Sequence, residues 1–328
     1  MKRIAILCFV LFCATLYPLA AQPVTVRPVE IVPAKDYRKA EIANSPALQP
    51  LLQGAVDAAI AGKNFKPGEI AATLIDLRDP AKLSAANVNG DARIYPASVV
   101  KMFYLVALHR QMQDGKITLT PELERGISDM IVVSSNEATQ YILDVLTDTS
   151  SGGEMLQREF EIWASQRNRV NRYYTAMGYT NINVNQKTFC EDAYGREQQF
   201  RNYKSENRNM LTTNATARLM AEIVMGRVAT PERTKLMMDL MKRTLFTPEG
   251  KGTDPAPSPA APALIDKGMK GASLWSKSGG TSRSLHDAVY IETPEGLKFV
   301  LAVFTENHVK DADVIPAITG KIIDGLKK

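Results

Sequence analysis

The apolar positions of this chain fall into short blocks whose period switches from helical to strand-like and back. Leu48, Leu51, Leu52, Val56 and Ile60 recur at helical spacing, which predicts a helix over Pro46 to Gly62. Glu69 to Leu77 reads as a strand, and Leu83 to Ile94 as a second strand or a hairpin turning at Asn89-Gly90. From Ser98 the pattern is helical again. Val99, Met102, Phe103, Val106 and Leu108 make a broad apolar face that Gly115 ends. Further helices are predicted within Leu123 to Val133, Glu137 to Leu146, Glu154 to Met177, Thr213 to Gly226 and Pro231 to Leu245. Gly250 to Pro262, rich in Pro, Gly and Ala, reads as a surface loop. Ser273 to Ser276, His286 to Glu292 and Lys298 to Glu306 read as strands, the last two joined by a turn at Pro294-Glu295-Gly296. A closing helix puts Val314, Ile315, Ile318, Ile322, Ile323 and Leu326 on one face.

Strands at both ends of a chain meet in one sheet when they share a core. The expected fold is therefore α/β (α+β): an antiparallel sheet flanked by terminal helices, with an all-helical lobe of about residues 98–262 inserted. The crevice between the lobes is the natural place for a site.

The first 21 residues stand apart from this fold. Lys2 and Arg3 precede an apolar run, Ile4 to Leu16, and Leu19-Ala20-Ala21 adds small residues, which is the pattern of a secretory signal. The run is short for a bilayer span. Cleavage there would leave a single catalytic domain, 22–328, that is periplasmic or secreted and touches a membrane only through the lost segment. It would also remove Cys8 and Cys13, so the remaining Cys190 has no partner for an internal disulfide. Losing Lys2 and Arg3 takes the net charge from +5 to +3, and no basic block is interleaved with aromatics, so nothing points to nucleic acid. No His, Asp or Cys cluster has metal-ligand spacing. No metal or organic cofactor is expected, and a monomer is expected.

Three short motifs carry candidate chemistry. Ser98-Val99-Val100-Lys101 opens the apolar helix. Serine and lysine three apart share a helical face, so a lysine whose pKa is lowered by burial can take the serine proton. Alone, the pair also reads as an N-cap and a surface lysine, although Val99, Val100, Met102 and Phe103 around Lys101 make an odd setting for a solvated cation. Ser134-Ser135-Asn136 lies between two helical patterns. A hydroxyl there can relay a proton to a leaving amine and the Asn can hold an amide, while Ser134 with Glu137 also reads as a capping box. Lys277-Ser278-Gly279-Gly280 ends a strand. Its cation and hydroxyl can bind a carboxylate, its glycines let a ligand lie along the strand, and the Gly280 amide can point at an oxyanion.

S-x-x-K on a helix, S-x-N between helices and K-[ST]-G on a strand, in that order, resemble the set shared by class A β-lactamases and penicillin-binding proteins. Met130-Ile131-Val132-Val133 and Leu211 to Ala217 also resemble segments of that family, and the likeness runs from about Glu69 to the C-terminus. The resemblance implies a β-lactamase/transpeptidase-like fold and β-lactam hydrolysis through an acyl-enzyme. It implies Ser98 as nucleophile, Lys101 as proton acceptor, Ser134 as relay and Asn136 as ligand of the acyl amide. Lys277 and Ser278 would hold the carboxylate, and the amides of Ser98 and Gly280 the oxyanion. Substrates would be β-lactams or peptidoglycan-derived molecules.

Two features depart from the family. Ser134 follows Ser98 by only 36 positions, a shorter connection than in the enzymes it resembles. The family's deacylating Glu, followed four residues later by Asn, has no match between Thr147 and Thr213. It would fall near Thr188, where Glu191, Asp192, Glu197 and Glu206 are the available carboxylates and Glu191 is the candidate. Without such a base, the chain would act as a D-alanyl-D-alanine carboxypeptidase or esterase, or as a non-turnover β-lactam or peptidoglycan sensor. Arg283 and His286, after the third motif, are candidates for a second carboxylate contact; His109 and His308 read as structural.

Overall fold

The computed structural model describes residues 30–253 and 258–327; the signal-like segment lies outside them. Strand β1 (Ala43–Asn44) leads into α1 (Leu48–Ile60), then β2 (Ile70–Asp76) and β3 (Ser84–Val88). A 3-10 turn, Ala97–Val99, opens α2 (Val100–Gln113). Next come α3 (Pro121–Ile131), α4 (Asn136–Thr147), α5 (Gln157–Arg167) and α6 (Arg169–Ala176). After them are α7 (Arg196–Arg201), α8 (Thr213–Val224) and α9 (Pro231–Met241). The chain finishes with β4 (Lys242–Arg243), α10 (Ala261–Asp266), β5 (Ser273–Gly280), β6 (Leu285–Glu292), β7 (Lys298–Thr305) and α11 (Val314–Leu326).

The strands form one sheet in the order β1-β3-β2-β7-β6-β5-β4. All neighbours are antiparallel except β1 beside β3. Side chains alternate between two buried faces. On β7, Phe299, Leu301 and Val303 pack with α1, α10 and α11. Val300, Ala302 and Phe304 face the other way, toward α8 and the helical lobe. This is the layered arrangement that the terminal strands imply. Helix α2 is apolar nearly all round and is buried accordingly, carrying even Lys101 and His109 inside.

Caps set the helix starts. Thr120 and Thr230 accept from Leu123 N–H and Arg233 N–H, each followed by a proline in the first turn. At α4 the cap is Ser135, which accepts from Ala138 N–H, so Ser134 stands outside the helix and is not the capping residue.

The structure corrects several boundaries. The single helix expected over Glu154 to Met177 breaks at Asn168 into α5 and α6. The Asn168 carboxamide turns to its neighbours instead and accepts from Asn171 Nδ2 and Asn185 Nδ2. The segment read as a surface loop is partly interior. Ser258 and Ala260 are buried, and both donate to the buried Asp287 carboxylate. The third strand motif lies within β5, which runs four residues past the expected Ser276.

Candidate active site

Ser98 lies half-buried in the 3-10 turn ahead of α2. Ala97 before it holds φ 45°, a left-handed backbone that a residue with Cβ adopts at a cost. Strand β5 packs directly on this turn. A Cβ on Gly279 would lie 2.6 Å from Pro96 O and 2.9 Å from Ser98 N, so only glycine permits the approach. The contact brings the end of β5, with exposed Gly280, beside the candidate nucleophile.

Lys101, the second residue of α2 and one turn after Ser98, is fully buried. Its Nζ meets the carbonyl of Ser134, the Ser134 hydroxyl at 3.2 Å and Asn136 Oδ1 at 2.9 Å. Burial lowers its pKa to about 8, against the opposing pull of Glu137 and Cys190. Ser134 is itself left-handed, at φ 59°. Lys277, buried on β5, reaches the same hydroxyl at 3.0 Å and the Ser278 carbonyl at 2.9 Å. Burial pushes the Lys277 pKa well down, and the charges of Lys101 and Arg243 push it further. The Ser134 hydroxyl thus lies between two crowded, desolvated amines. When one of them is neutral, the hydroxyl can accept from one lysine and donate to the other, which makes a proton path.

A loop runs along α4 and closes one side. Asn136, Gln140 and Asp144 share a helical face, and each holds a loop residue. Asn136 Nδ2 donates to Cys190 Sγ at 3.5 Å, Gln140 Nε2 to Thr188 O at 3.0 Å, and Lys187 Nζ to Asp144 Oδ2 at 2.6 Å. Beneath it the buried Arg167 guanidinium bonds both oxygens of the buried Glu197, at 2.8 and 2.9 Å.

The structure therefore brings Lys101, Ser134, Asn136 and Lys277 into one hydrogen-bonded cluster, with Ser98, Ser278 and Gly280 adjoining. It places three other candidates elsewhere. Glu191 is exposed and lines a small cavity with Tyr95, Arg201 and Arg208. Among the described residues it touches neither Lys101 nor Asn136; the loop meets that cluster through Cys190. The other loop carboxylates are engaged too: Asp192 pairs with Arg201, Glu206 with Arg208, and Glu197 with Arg167. Arg283 turns along the sheet end, where its Nε donates to Asn307 Oδ1 at 3.0 Å. His286 is fully buried. Its Nδ1 accepts from Thr305 N–H at 3.2 Å, so its Nε2 carries the proton and donates to Tyr95 O at 3.0 Å. Both nitrogens are committed and burial lowers the pKa to about 4, so His286 anchors the chain ahead of Ser98 and presents nothing to a ligand.

Sequence reasoning missed Gly279 as a contact, Cys190 as the loop's neighbour of Asn136, and Arg243. The Arg243 Nη2 donates to Ile131 O at 3.2 Å and Ser276 O at 2.9 Å, joining the end of α3 to β5 behind Ser134 and Lys277. The glycine pair was a readable signal; the other two depend on long-range packing.

A protein-family model described as the beta-lactamase enzyme family matches residues 52–325. The chain belongs to that family. Solved structures agree on the β-lactamase/transpeptidase-like fold. A β-lactamase from Sphaerobacter thermophilus is 21% identical, with a TM-score of 0.60 over 84% of this chain and 96% of that one. PBP-A is 19% identical, with a TM-score of 0.57 over 89% of this chain and 99% of that one. The TLA-1 extended-spectrum β-lactamase is 15% identical, with a TM-score of 0.59 over 85% and 99%. No curated protein sequence matches. At these identities the structural likenesses speak for the fold, and this β-lactamase-family chain's own chemistry has to be argued from its residues.

Proposed function

We propose that the chain hydrolyses β-lactams through an acyl-enzyme on Ser98. The observation that carries this reading is the Lys101–Ser134–Lys277 hydrogen-bonded chain beside the Ser98 turn. Neutral Lys101 takes the proton of Ser98 as Oγ attacks the lactam carbonyl. The oxyanion is held by the amides of Ser98 and Gly280. As the C–N bond breaks, Ser134 hands a proton to the departing nitrogen and is replenished along the lysine path. Lys277 and Ser278 hold the substrate carboxylate and Asn136 the acyl amide. Water then splits the ester and releases the ring-opened acid.

A second reading has its own observation. The loop sets a thiol, Cys190, against Asn136, and no loop carboxylate is there to activate the water. That favours slow deacylation, as expected of a D-alanyl-D-alanine carboxypeptidase or esterase. A variant of the similar PBP-A has been captured as an acyl-enzyme with penicillin G.

Mass spectrometry of the chain mixed with penicillin G tests both. An adduct on Ser98 that decays to ring-opened product supports the β-lactamase reading, and one that persists supports the second. No adduct and no turnover would sink both, as would unchanged hydrolysis by Ser98→Ala.

A further inference from the structure

We infer that Glu137 gives the cleft a preference for acyl donors that carry an ammonium group on the carbon beside the acyl amide. This selectivity presupposes the acyl-enzyme reading at Ser98 and adds a substrate class to it. Glu137 follows Asn136 directly in the first turn of α4 and is exposed. A first-turn acid suits the helix dipole, as Glu122 and Glu232 do on α3 and α9. Two relationships with the cleft set Glu137 apart from those.

The first runs through Cys190. Asn136 Nδ2 donates to Cys190 Sγ at 3.5 Å, and the thiol makes a long contact with Glu137 Oε1 at 4.0 Å. The carboxamide proposed to hold the acyl amide and the Glu137 carboxylate therefore meet on one sulfur atom. The second is electrostatic. The negative charge of Glu137 acts on buried Lys101, whose Nζ lies 2.9 Å from Asn136 Oδ1. Among the described residues no cation lies within salt-bridge distance of Glu137, and its Oε2 accepts from the Ser135 hydroxyl at 3.2 Å. The loop cation beside α4, Lys187, is already taken by Asp144 at 2.6 Å and Glu197 at 3.4 Å.

The two ends of the cleft thus differ in sign. Lys277 and Ser278 on β5 stand at the end proposed for the substrate carboxylate, and a carboxylate without a cation stands beside Asn136 at the other. A substrate that is anionic at one end and cationic at the other matches both. An ammonium next to the acyl amide is the compact form of that cation: a point charge with three N–H donors, kept near Glu137 while Asn136 holds the amide. Glu137 is exposed, so solvent and salt screen the attraction, and it discriminates by the modest factor typical of exposed ion pairs.

Ampicillin and penicillin G are the probes, because ampicillin differs by one amino group on that carbon. Adduct formation on Ser98 is timed by quenched-flow mass spectrometry at about pH 6.5, where an α-amine is largely protonated. The ratio of the ampicillin to the penicillin G acylation rate constant should fall about three- to fivefold in Glu137→Gln. Salt at about 1 M should shrink that fall. The ratio cancels any change in Ser98 or Lys101, which both drugs share, and acylation of the variant by penicillin G reports that it is folded. A ratio that the substitution leaves unchanged, including a loss shared equally by both drugs, would overturn the preference alone. Acylation of the unaltered chain by neither drug would sink the Ser98 reading together with it.

Discussion

The sulfur of Cys190 lies 3.5 Å from the side-chain nitrogen of Asn136, so a thiol forms part of the wall that faces the Lys101–Ser134 cluster. The thiol is exposed and forms no disulfide. N-ethylmaleimide should therefore modify Cys190 and, by crowding Asn136, slow Ser98 acylation by roughly tenfold or more, a misplacement effect. Cys190→Ala should acylate normally and ignore the reagent. Equal inhibition of both forms would detach Cys190 from the cleft.

On the proposed mechanism, Lys101 sets the pH dependence of Ser98 acylation. A proton acceptor must be neutral, and the neutral fraction of Lys101 grows as pH rises through its pKa of about 8. The rate of Ser98 acylation should climb between about pH 6 and about pH 9 and then level off. Lys101→Ala should cost on the order of a thousandfold or more and remove this limb. Stopped-flow acylation with a chromogenic β-lactam gives both, and a flat profile would move the base elsewhere.

Gly279 fixes the gap between β5 and the Ser98 turn. The methyl group of Gly279→Ala would sit 2.6 Å from Pro96 O and 2.9 Å from Ser98 N, both backbone atoms that cannot swing away. The strand must retreat. We expect acylation to fall about a hundredfold while stability drops about 1–3 kcal/mol. Paired rate and urea-unfolding measurements would show it, and near-normal acylation would deny the close approach its role.

His286 links stability to acid. Its pKa falls from 6.5 to about 4 on folding, so between those values the unfolded chain binds more protons. Its contribution is fully present above pH 6.5 and is lost as pH falls toward 4. The total is about 3 kcal/mol. His109, lowered to about 4 by burial and by Arg233, adds a loss of the same sign. Urea midpoints measured across this range should decline with acid, and less steeply in His286→Gln. Parallel curves for the two proteins would contradict the assignment.

Much of this was legible beforehand, for identifiable reasons. The β7 strand and the α1 and α11 helices announce themselves because both faces or one clear stripe are apolar. The clustering of Lys101, Ser134 and Lys277 followed from motifs whose residue types need one another. His286 and Arg283 misled because proximity in sequence to Lys277 says nothing about which way a strand or turn directs a side chain. The β6 register instead aims His286 inward, at Thr305 and Tyr95. Glu191 misled for the same reason. Adjacent loop residues point apart, and the side chain that reached Asn136 was Cys190, a residue whose chemistry had given no cause to look there. The two-residue strands β1 and β4 and the six-residue helices α7 and α10 are too short for any periodicity to reveal.

The bond between Lys277 and Ser134 joins positions 143 residues apart. Closing so long a loop costs chain entropy that only the assembled core repays, so this contact cannot outlive the native state in a partly folded chain. On the proposed mechanism, reactivity of Ser98 toward penicillin would therefore report completed folding. A labelled β-lactam added during refolding should count native molecules one by one, with no signal from collapsed intermediates that already hold their helices.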